Sequence, residues 1–430
     1  MEGETVVKIA LLGIGTVGMG VYKLIRRQEE KMVNKIGAKL EIKKILVQDM
    51  KKERLGIDPS LLTDSWEEIR EDKEIDIIVE VIGGMEPART YILESFWAGK
   101  NVVTANKDLL AEYGQELLEA SHTAGKDLLF EASVGGGIPI IRPIKECLAG
   151  NHITSILGII NGTTNYILTR MTKDGMEFNK ALKLATELGF AEANPISDIE
   201  GYDAGRKIAI LSSVAFHSRV AFSDVKTEGI ANIKVVDIQY AKEMGCVIKL
   251  VAVANNTEEG IEVRVHPMLI PEEHPLASVN DSFNAIFLHG DAVDDAMFLG
   301  RGAGEMPTAS AILGDIIDCA RNLKYSCNGR IGCTCYKNTK IKDGSSCISR
   351  YFLRMQVEDR PGVLANVASV LGSNKVSIAQ VIQKSRNHGV AEIVAITDPV
   401  VEGDFLQAMD AFSQMPIIKE ISTTLRVYNK

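Results

Sequence analysis

Val6-Val7-Lys8-Ile9-Ala10-Leu11-Leu12-Gly13-Ile14-Gly15-Thr16-Val17-Gly18 is the stretch that decides the fold. Residues 6–12 are a short, β-branched apolar run ended by glycine, which reads as a buried strand. The Gly-x-Gly-x-x-Gly turn that follows, with Thr16 and Val17 inside it, opens a helix expected over 19–31. Such a pattern alone is weak, but between a strand and a helix it fits a dinucleotide pyrophosphate better than a plain strand–helix turn. Gly13 would make the tight turn and Gly15 would leave bare backbone for the phosphates at the helix N-terminus. Gly18 would let the helix pack closely on the sheet.

Working outward, apolar strands are expected at 40–47, 75–82, 101–104 and 128–131, with a helix at 87–98, and Gly135-Gly136-Gly137 closes the series. Strands alternating with helices imply an α/β fold with a Rossmann-type parallel sheet covered on both faces. From about residue 138 the pattern changes. Helices over 138–149, 164–174, 179–188 and 203–216 interleave with strands at 153–160, 247–254 and 261–269, an α+β arrangement. Residues 298–323 begin with a second glycine cluster, Gly300-Arg301-Gly302-Ala303-Gly304, and end in an apolar helix. A polar, Gly- and Cys-rich stretch follows, and from Tyr351 the order strand, helix, two strands, helix, strand forms a small unit. The expected organisation is a nucleotide-binding domain at 1–137 completed by 298–323, and a substrate and dimerisation domain at 138–297. A linker at 324–349 and a ferredoxin-like unit at 350–430 follow. That agrees with the roughly three domains a chain of 430 residues suggests.

Hydrophobic residues at 46% and charged residues at 24% fit a packed globular chain and exclude a disordered, tail-like one. Lys and Arg number 48 against 57 Asp and Glu, a net charge of −9, which argues against nucleic acid or an anionic membrane as the partner. No run reaches the 18 or so apolar residues a bilayer span requires, and the start lacks a signal-peptide pattern. Seven cysteines, an odd number, suit a reducing compartment, so a cytoplasmic location is expected.

At the expected end of the second strand stands Val47-Gln48-Asp49-Met50-Lys51-Lys52. Asp49 reads either as the acid that binds ribose hydroxyls in NAD sites or as a turn residue. Lys51 and Lys52 read either as partners of a 2′-phosphate or as solvated charges, so NAD and NADP both remain open. Lys107 follows the strand at 101–104, at the sheet edge where open α/β folds bind ligands, although a lone strand-end lysine is usually a surface charge. Lys207 is a stronger candidate. It lies four residues after Asp203 on one helical face, with Ile210 and Val214 continuing the stripe. The plain alternative is an exposed ion pair. A lysine entering an apolar helix is costly unless paired, and burial beside another cation brings an ammonium into acid–base range. Glu192, Asp198, Glu200 and Asp203 surround Asn194-Pro195, where carboxylates are normally solvated or, beside such a helix, available to a substrate ammonium.

These segments together resemble homoserine dehydrogenase in its monofunctional form with a C-terminal ACT domain. The matching stretches are GIGTVG (13–18), EVIGGMEPA (80–88), VVTANKDLLA (102–111), EASVGGGIPII (131–141), NGTTNYIL (161–168), AEANPISDIEGYDAGRK (191–207) and GRGAGEMPTASAILGD (300–315). No aspartokinase region precedes the first strand, so the monofunctional form is the one expected. The resemblance implies NAD(P)-dependent interconversion of L-homoserine and L-aspartate 4-semialdehyde. It implies Lys207 as the acid–base lysine and Lys107 as its partner near nicotinamide and substrate. Glu192, Asp198 and Asp203 would hold the amino acid. Gly13, Gly15, Thr16, Val17, Gly18, Ile82, Gly83, Thr104, Lys107, Gly302 and Gly304 would line the cofactor. It further implies a monovalent cation, Na+ or K+, on the backbone carbonyls of Glu131, Val134, Gly136 and Ile138, a stretch that otherwise reads as a loop–helix junction. Two departures stand out: Gln48 replaces a frequent Arg, and Asn194 replaces a usual Asp.

Asp359-Arg360-Pro361-Gly362-Val363-Leu364 looks like an ACT ligand loop, and the resemblance implies L-threonine as inhibitor and a homodimer or homotetramer. The alternative is a domain that only cements a dimer. Cys327, Cys333, Cys335 and Cys347 fit no zinc spacing; they read as incidental, or as a redox-sensitive or adventitious metal site. The seven histidines form no HxH or HExxH array, so no catalytic zinc is expected. Two other readings compete: an oxidoreductase for a different amino-acid-derived aldehyde, and a nucleotide-bound amino-acid sensor without catalysis.

Overall fold

A computed structural model describes residues 5–192, 194–386 and 389–429. The chain forms two compact units, each assembled from separate stretches of sequence.

The first comprises Met1–Thr154, Arg206–Asp224 and Asn284–Thr339. Its sheet has strands β1 (Val6–Leu12), β2 (Lys39–Leu46), β3 (Leu62–Thr63), β4 (Ile77–Glu80), β5 (Asn101–Thr104) and β6 (Leu128–Leu129). They lie in the order β3-β2-β1-β4-β5-β6, all parallel. That order reverses direction between β1 and β4, the switch point at which open α/β sheets bind ligands. Ile9, Leu11, Ile77 and Val79 are fully buried, as expected of strands covered on both faces.

The helix Thr16–Ile36 crosses from β1 to β2 and packs along Glu305–Lys324. Both helices start at the same edge of the sheet: Lys23 pairs with Glu305 at 2.7 Å, and Lys324 donates to the Gly37 carbonyl at 3.1 Å at the far end. Gly20 makes this approach possible, because a Cβ there would lie 2.7 Å from the Glu305 carbonyl oxygen and 2.9 Å from Ala309 Cβ. Alanine is the better helix former by about 1 kcal/mol, yet Gly20→Ala is expected to destabilise the protein by about 1–2 kcal/mol through overpacking. A lower urea midpoint at unchanged slope would show this, whereas a stabilised variant would mean that the two helices yield.

Three sequence readings in this unit need correction. The helix expected at 138–149 is broken, with a π-helical turn at Pro143–Cys147. Pro139 and Pro143 have no N–H to give, and the N–H groups of Ile140, Ile141 and Arg142 go to the Glu131 carboxylate at 2.5, 2.8 and 2.7 Å. The strand expected at 128–131 stops at Leu129 and is followed by a 3-10 turn at Glu131–Ser133. The segment read as 298–323 begins inside a strand, Asp294–Arg301, that pairs with Phe283–Gly290.

The second unit comprises Ser155–Gly205, Val225–Phe283 and Lys340–Lys430. Its sheet runs Ile153–Ile159, Cys246–Thr257, Gly260–Pro271, Ile418–Val427, Ile348–Glu358, Val390–Thr397, Ile378–Arg386. The C-terminal strands, with the helices Val363–Ser373 and Glu402–Ser413, give the expected βαββαβ order around a core of Leu353, Met355, Val367, Leu371 and Phe412. This small unit is joined to the rest edge to edge: Met268 and Leu269 pair in parallel with Arg426 and Val427. Buried ion pairs reinforce the seam. Arg354 meets Asp237 at 2.6 Å and Glu392 at 3.1 Å, and Arg264 and Arg426 share Glu402 at 2.8 and 3.1 Å. Removing one partner of such a pair strands a buried charge and is strongly destabilising. No helix among the described residues is long and apolar enough to cross a membrane.

Candidate active site

The turn after β1 is shaped by backbone contacts. Gly13 has φ of +102°, donates its N–H to the Leu46 carbonyl at 3.1 Å, and leaves no room for a side chain beside Val81 and Ile82. A Cβ on Gly18 would lie 2.3 Å from the Gly13 carbonyl oxygen, whereas one on Gly15 would meet nothing within 4 Å. The helix that begins here has Gly15 as its extended cap, no side-chain cap and no acid in its first turn. Its first N–H groups therefore face an open, exposed position, and an anion there is favoured by the helix dipole. Thr16 is exposed and Val17 half-buried in that first turn.

Beside this turn, the loop after β4 is held by a residue the sequence reading did not single out. Glu80 is fully buried, and its carboxylate accepts from the N–H groups of Ile82 and Gly83 at 3.0 and 3.1 Å and from the Thr104 hydroxyl at 2.6 Å. Thr104 in turn accepts from the Asn106 N–H at 3.0 Å, and Asn106 caps the helix Lys107–Ala124 through the Leu109 N–H at 3.1 Å. One carboxylate thus orders the strand ends that present Ile82, Gly83, Thr104 and Lys107. Ile82 is exposed next to Gly13, an apolar surface at the mouth of the switch point.

Lys107 and Lys207 both lie half-buried in the first unit, Lys107 as the first residue of the helix Lys107–Ala124 and Lys207 in the second turn of the helix Tyr202–Phe216. Asp108 connects the two helices. It meets Lys107 Nζ at 3.7 Å and Arg206 Nε at 3.0 Å, and Arg206 lies over the Phe222 ring at 4.6 Å. The two helices that carry the lysines are therefore tied together through Asp108. On the helix Tyr202–Phe216, Asp203, Ile210 and Val214 are buried and Lys207 half-buried, the stripe read from the sequence.

In the second unit, Asp198 and Asp203 converge on Asn161. Its amide nitrogen donates to Asp198 Oδ1 at 2.7 Å and to Asp203 Oδ2 at 2.9 Å. The amide oxygen accepts from the Thr164 N–H at 2.9 Å, capping the helix Gly162–Asp174, which fixes which end of the amide faces the carboxylates. Asn161 thus places two carboxylate groups side by side. Glu192 is exposed and Glu200 half-buried, so Asp198 and Asp203 are the pair brought together around Asn161. Asn161 lies inside a quoted motif, but only its partners across space reveal its role.

Glu131, Val134, Gly136 and Ile138 lie on a buried loop. Gly136 adopts φ of +56°, and a Cβ there would lie 2.3 Å from the Gly302 carbonyl oxygen, so the two glycine clusters abut. Gly137 donates its N–H to the Arg301 carbonyl at 3.0 Å, and Gly304 caps the helix Glu305–Lys324. Within the loop, the carbonyl of Phe130 accepts from Ser133 and that of Gly135 from the Ile138 N–H. Asp315 anchors the loop by accepting from the Glu131 N–H at 2.8 Å and from Arg142 at 2.5 Å. Burial, with Glu131 adding and Arg142 opposing, pushes its carboxyl up to about 7.

After β2, Gln48, Asp49, Lys51 and Lys52 are all exposed. Asp49 accepts from the Lys51 N–H at 2.8 Å, the turn role left open above. Arg54, which the sequence reading passed over, donates to the carbonyls of Asp49 and Lys52 at 2.9 and 2.7 Å and brings a third cation to this loop.

Comparison with known proteins agrees with this layout. Residues 13–131 match the model of the homoserine dehydrogenase NAD-binding domain, residues 139–317 that of homoserine dehydrogenase, and residues 351–416 that of the ACT domain. A homoserine dehydrogenase of Corynebacterium glutamicum is 44% identical, with 98% of this chain and 95% of that protein aligned. The crystal structure of a homoserine dehydrogenase from Thiobacillus denitrificans superposes with a TM-score of 0.95 at 37% identity and covers 100% of both chains. A hyperthermophilic archaeal homoserine dehydrogenase in complex with NADPH gives a TM-score of 0.63 at 27% identity, covering 74% of this chain and 98% of that one. The chain therefore belongs to the homoserine dehydrogenase family, NAD(P)-dependent oxidoreductases that interconvert L-homoserine and L-aspartate 4-semialdehyde, and it carries a C-terminal ACT domain.

Proposed function

We propose that Lys207 is the proton donor of aldehyde reduction and that Lys107 works beside it, a reading carried by the Asp108 bridge between Lys107 and Arg206. The nicotinamide, when bound, supplies a hydride to the aldehyde carbon. Lys207 gives its proton to the carbonyl oxygen as negative charge develops there, and takes it back in the reverse direction. Glu192, Asp198 and Asp203 bind the substrate ammonium, with Asn161 holding the two aspartates in place. The first turn of Thr16–Ile36 takes the pyrophosphate, with Gly13, Gly15 and Gly18 giving it room. Ile82, Gly83, Thr104, Gly302 and Gly304 complete the cofactor site.

NADPH is the preferred cofactor. Asp49 is engaged in its own turn, and Lys51, Lys52 and Arg54 concentrate positive charge where a 2′-phosphate would sit. The backbone carbonyls of Glu131, Val134, Gly136 and Ile138 would hold a Na+ or K+ ion. The ACT domain binds L-threonine as feedback inhibitor, and the chain works as a homodimer or homotetramer.

One assay tests the activity, the cofactor preference and the regulation: initial rates of NADPH and NADH oxidation with L-aspartate 4-semialdehyde, with and without L-threonine. Turnover faster with NADPH and suppressed by threonine is the expected result. Faster NADH turnover would overturn the cofactor assignment, and a threonine-insensitive rate would overturn the regulatory one. Nucleotide binding without turnover would favour the non-catalytic sensor.

A further inference from the structure

Residues 326–339 of the first unit bring two cysteines, Cys333 and Cys335, to the rim of a cleft of about 730 Å³. Gln115, His122, Arg219 and Lys337 line the same cleft. The segment is fastened to the C-terminal end of the helix Tyr202–Phe216. Lys337 donates its N–H to the His217 carbonyl at 2.8 Å, Thr339 donates to the Ser218 hydroxyl at 2.8 Å, and the His217 and Tyr336 rings stack with centroids 5.0 Å apart. The two sulfurs are therefore held in place on a scaffold.

The two cysteines differ in setting. Cys333 is exposed, whereas Cys335 is half-buried with its thiol 3.4 Å from the Ser213 carbonyl. The Cys335 N–H donates to Cys333 Sγ at 3.4 Å. The Cys335 thiol is also within hydrogen-bonding reach of Cys333, and Lys145 and Arg219 lie close by; together they hold the Cys333 thiol below the usual thiol range against the opposing effect of burial. Cys335 is pushed the other way, by its bond to Cys333 and by burial. Lys145 donates to the Ile331 carbonyl at 3.5 Å and lies over the Phe130 ring at 5.8 Å, so its ammonium stays near the pair. Glu119 on the cleft wall and Glu146 beside Lys145 oppose these cations. The arrangement has the parts of a thiol–disulfide exchange site: an exposed nucleophile, nearby cations, and a second thiol poised to resolve.

We propose that Cys333 and Cys335 are a redox-active dithiol, in which Cys333 attacks a low-molecular-weight disulfide entering the cleft and Cys335 closes an intramolecular Cys333–Cys335 bond. In the first step the Cys333 thiolate displaces one thiolate from the small disulfide and forms a mixed disulfide. In the second, Cys335 gives its proton to solvent, attacks the Cys333 sulfur and releases the second small thiolate. One protein dithiol is oxidised by two electrons, and one small disulfide is reduced to two thiols. A dithiol reductant reverses both steps. Closing the bond removes the Cys335 S–H that faces the Ser213 carbonyl, and so alters one fastening of the strap to the helix bearing Lys207.

The test uses the reduced full-length protein with oxidised glutathione at neutral pH, acid quenching and peptide mass mapping. The segment holding both cysteines is expected to lose two hydrogens, about 2 Da, and to regain them with dithiothreitol. Cys335→Ser should stop at a glutathione adduct on Cys333, and Cys333→Ser should give neither product. Lys145→Gln should slow the first step about tenfold, because the thiolate fraction falls. Cys147, also exposed, is the internal reference in wild-type protein, so the proposal stays decidable even if a variant fails to fold. Modification of Cys333 no faster than Cys147, or a wild-type protein that accumulates mixed disulfide without closing the ring, would overturn it.

Discussion

Lys207→Met is expected to lower turnover of L-aspartate 4-semialdehyde by about 10³-fold, the scale of losing a positioned general acid. kcat and kcat/KM should fall together, since the proton is needed as the alkoxide develops and not when the substrate binds. NADPH affinity should stay within about threefold of wild type, because the pyrophosphate turn lies on a different element. Methionine keeps the length and apolar stem of lysine, so the stripe of Asp203, Ile210 and Val214 can still bury. Lys207→Arg should not rescue, as guanidinium does not release its proton near neutrality. Fluorescence titration with NADPH beside steady-state kinetics separates the cases. Lost nucleotide binding would make Lys207 a structural residue, and a loss below tenfold would move the proton to another donor.

Gly18→Ala should have a smaller but still large effect, on a different step. The added Cβ would lie 2.3 Å from the Gly13 carbonyl oxygen and 3.1 Å from its carbon, both backbone atoms that cannot swing aside. Gly13 is held by its φ of +102° and by its N–H bond to Leu46, so the turn opens rather than adjusts. The expected result is a rise of about 100-fold in the NADPH Kd, close to 2.7 kcal/mol of binding free energy. The KM for the aldehyde measured at saturating cofactor should change little. An unchanged Kd in folded protein would mean that pyrophosphate does not sit on this turn.

How far the sequence was readable depends on how local each signal is. β5 at Asn101–Thr104 and β1 at Val6–Leu12 match their expected bounds residue for residue, because a buried parallel strand is a continuous apolar run ended by a turn signal. β3, Leu62–Thr63, is too short to show any period and exists only by pairing with β2. The helix Lys107–Ala124 escaped the reading although Asn106 and Gly125 cap it in ordinary ways. The helix expected after residue 138 is broken because the Glu131 carboxylate, 9 to 11 residues upstream, takes its first N–H groups, a contact beyond the reach of helical periodicity. The site divides the same way. The phosphate turn is contiguous and could be read. Glu80, Asn161 and Asp108 lie inside quoted motifs, but they act through Thr104, Asp198 with Asp203, and Arg206, partners that only the fold supplies, and Arg54 acts through a loop conformation that no local pattern announces.

The nucleotide-binding unit has a consequence for how the protein is made. The helix Thr16–Ile36 buries Val21, Leu24, Ile25 and Met32 in a cluster shared with Ile312, Leu313 and Ile316 of Glu305–Lys324. On a ribosome adding roughly 5–20 residues per second, that partner helix emerges on the order of tens of seconds later. Until then the nascent N-terminal sheet presents an uncovered apolar flank, and closing it requires a contact of very long sequence separation, the slow kind. A chain released before Glu305 carries that flank permanently. Truncation in the middle of the message therefore yields an aggregation-prone product, and the vulnerable interval in this enzyme's life is its own synthesis.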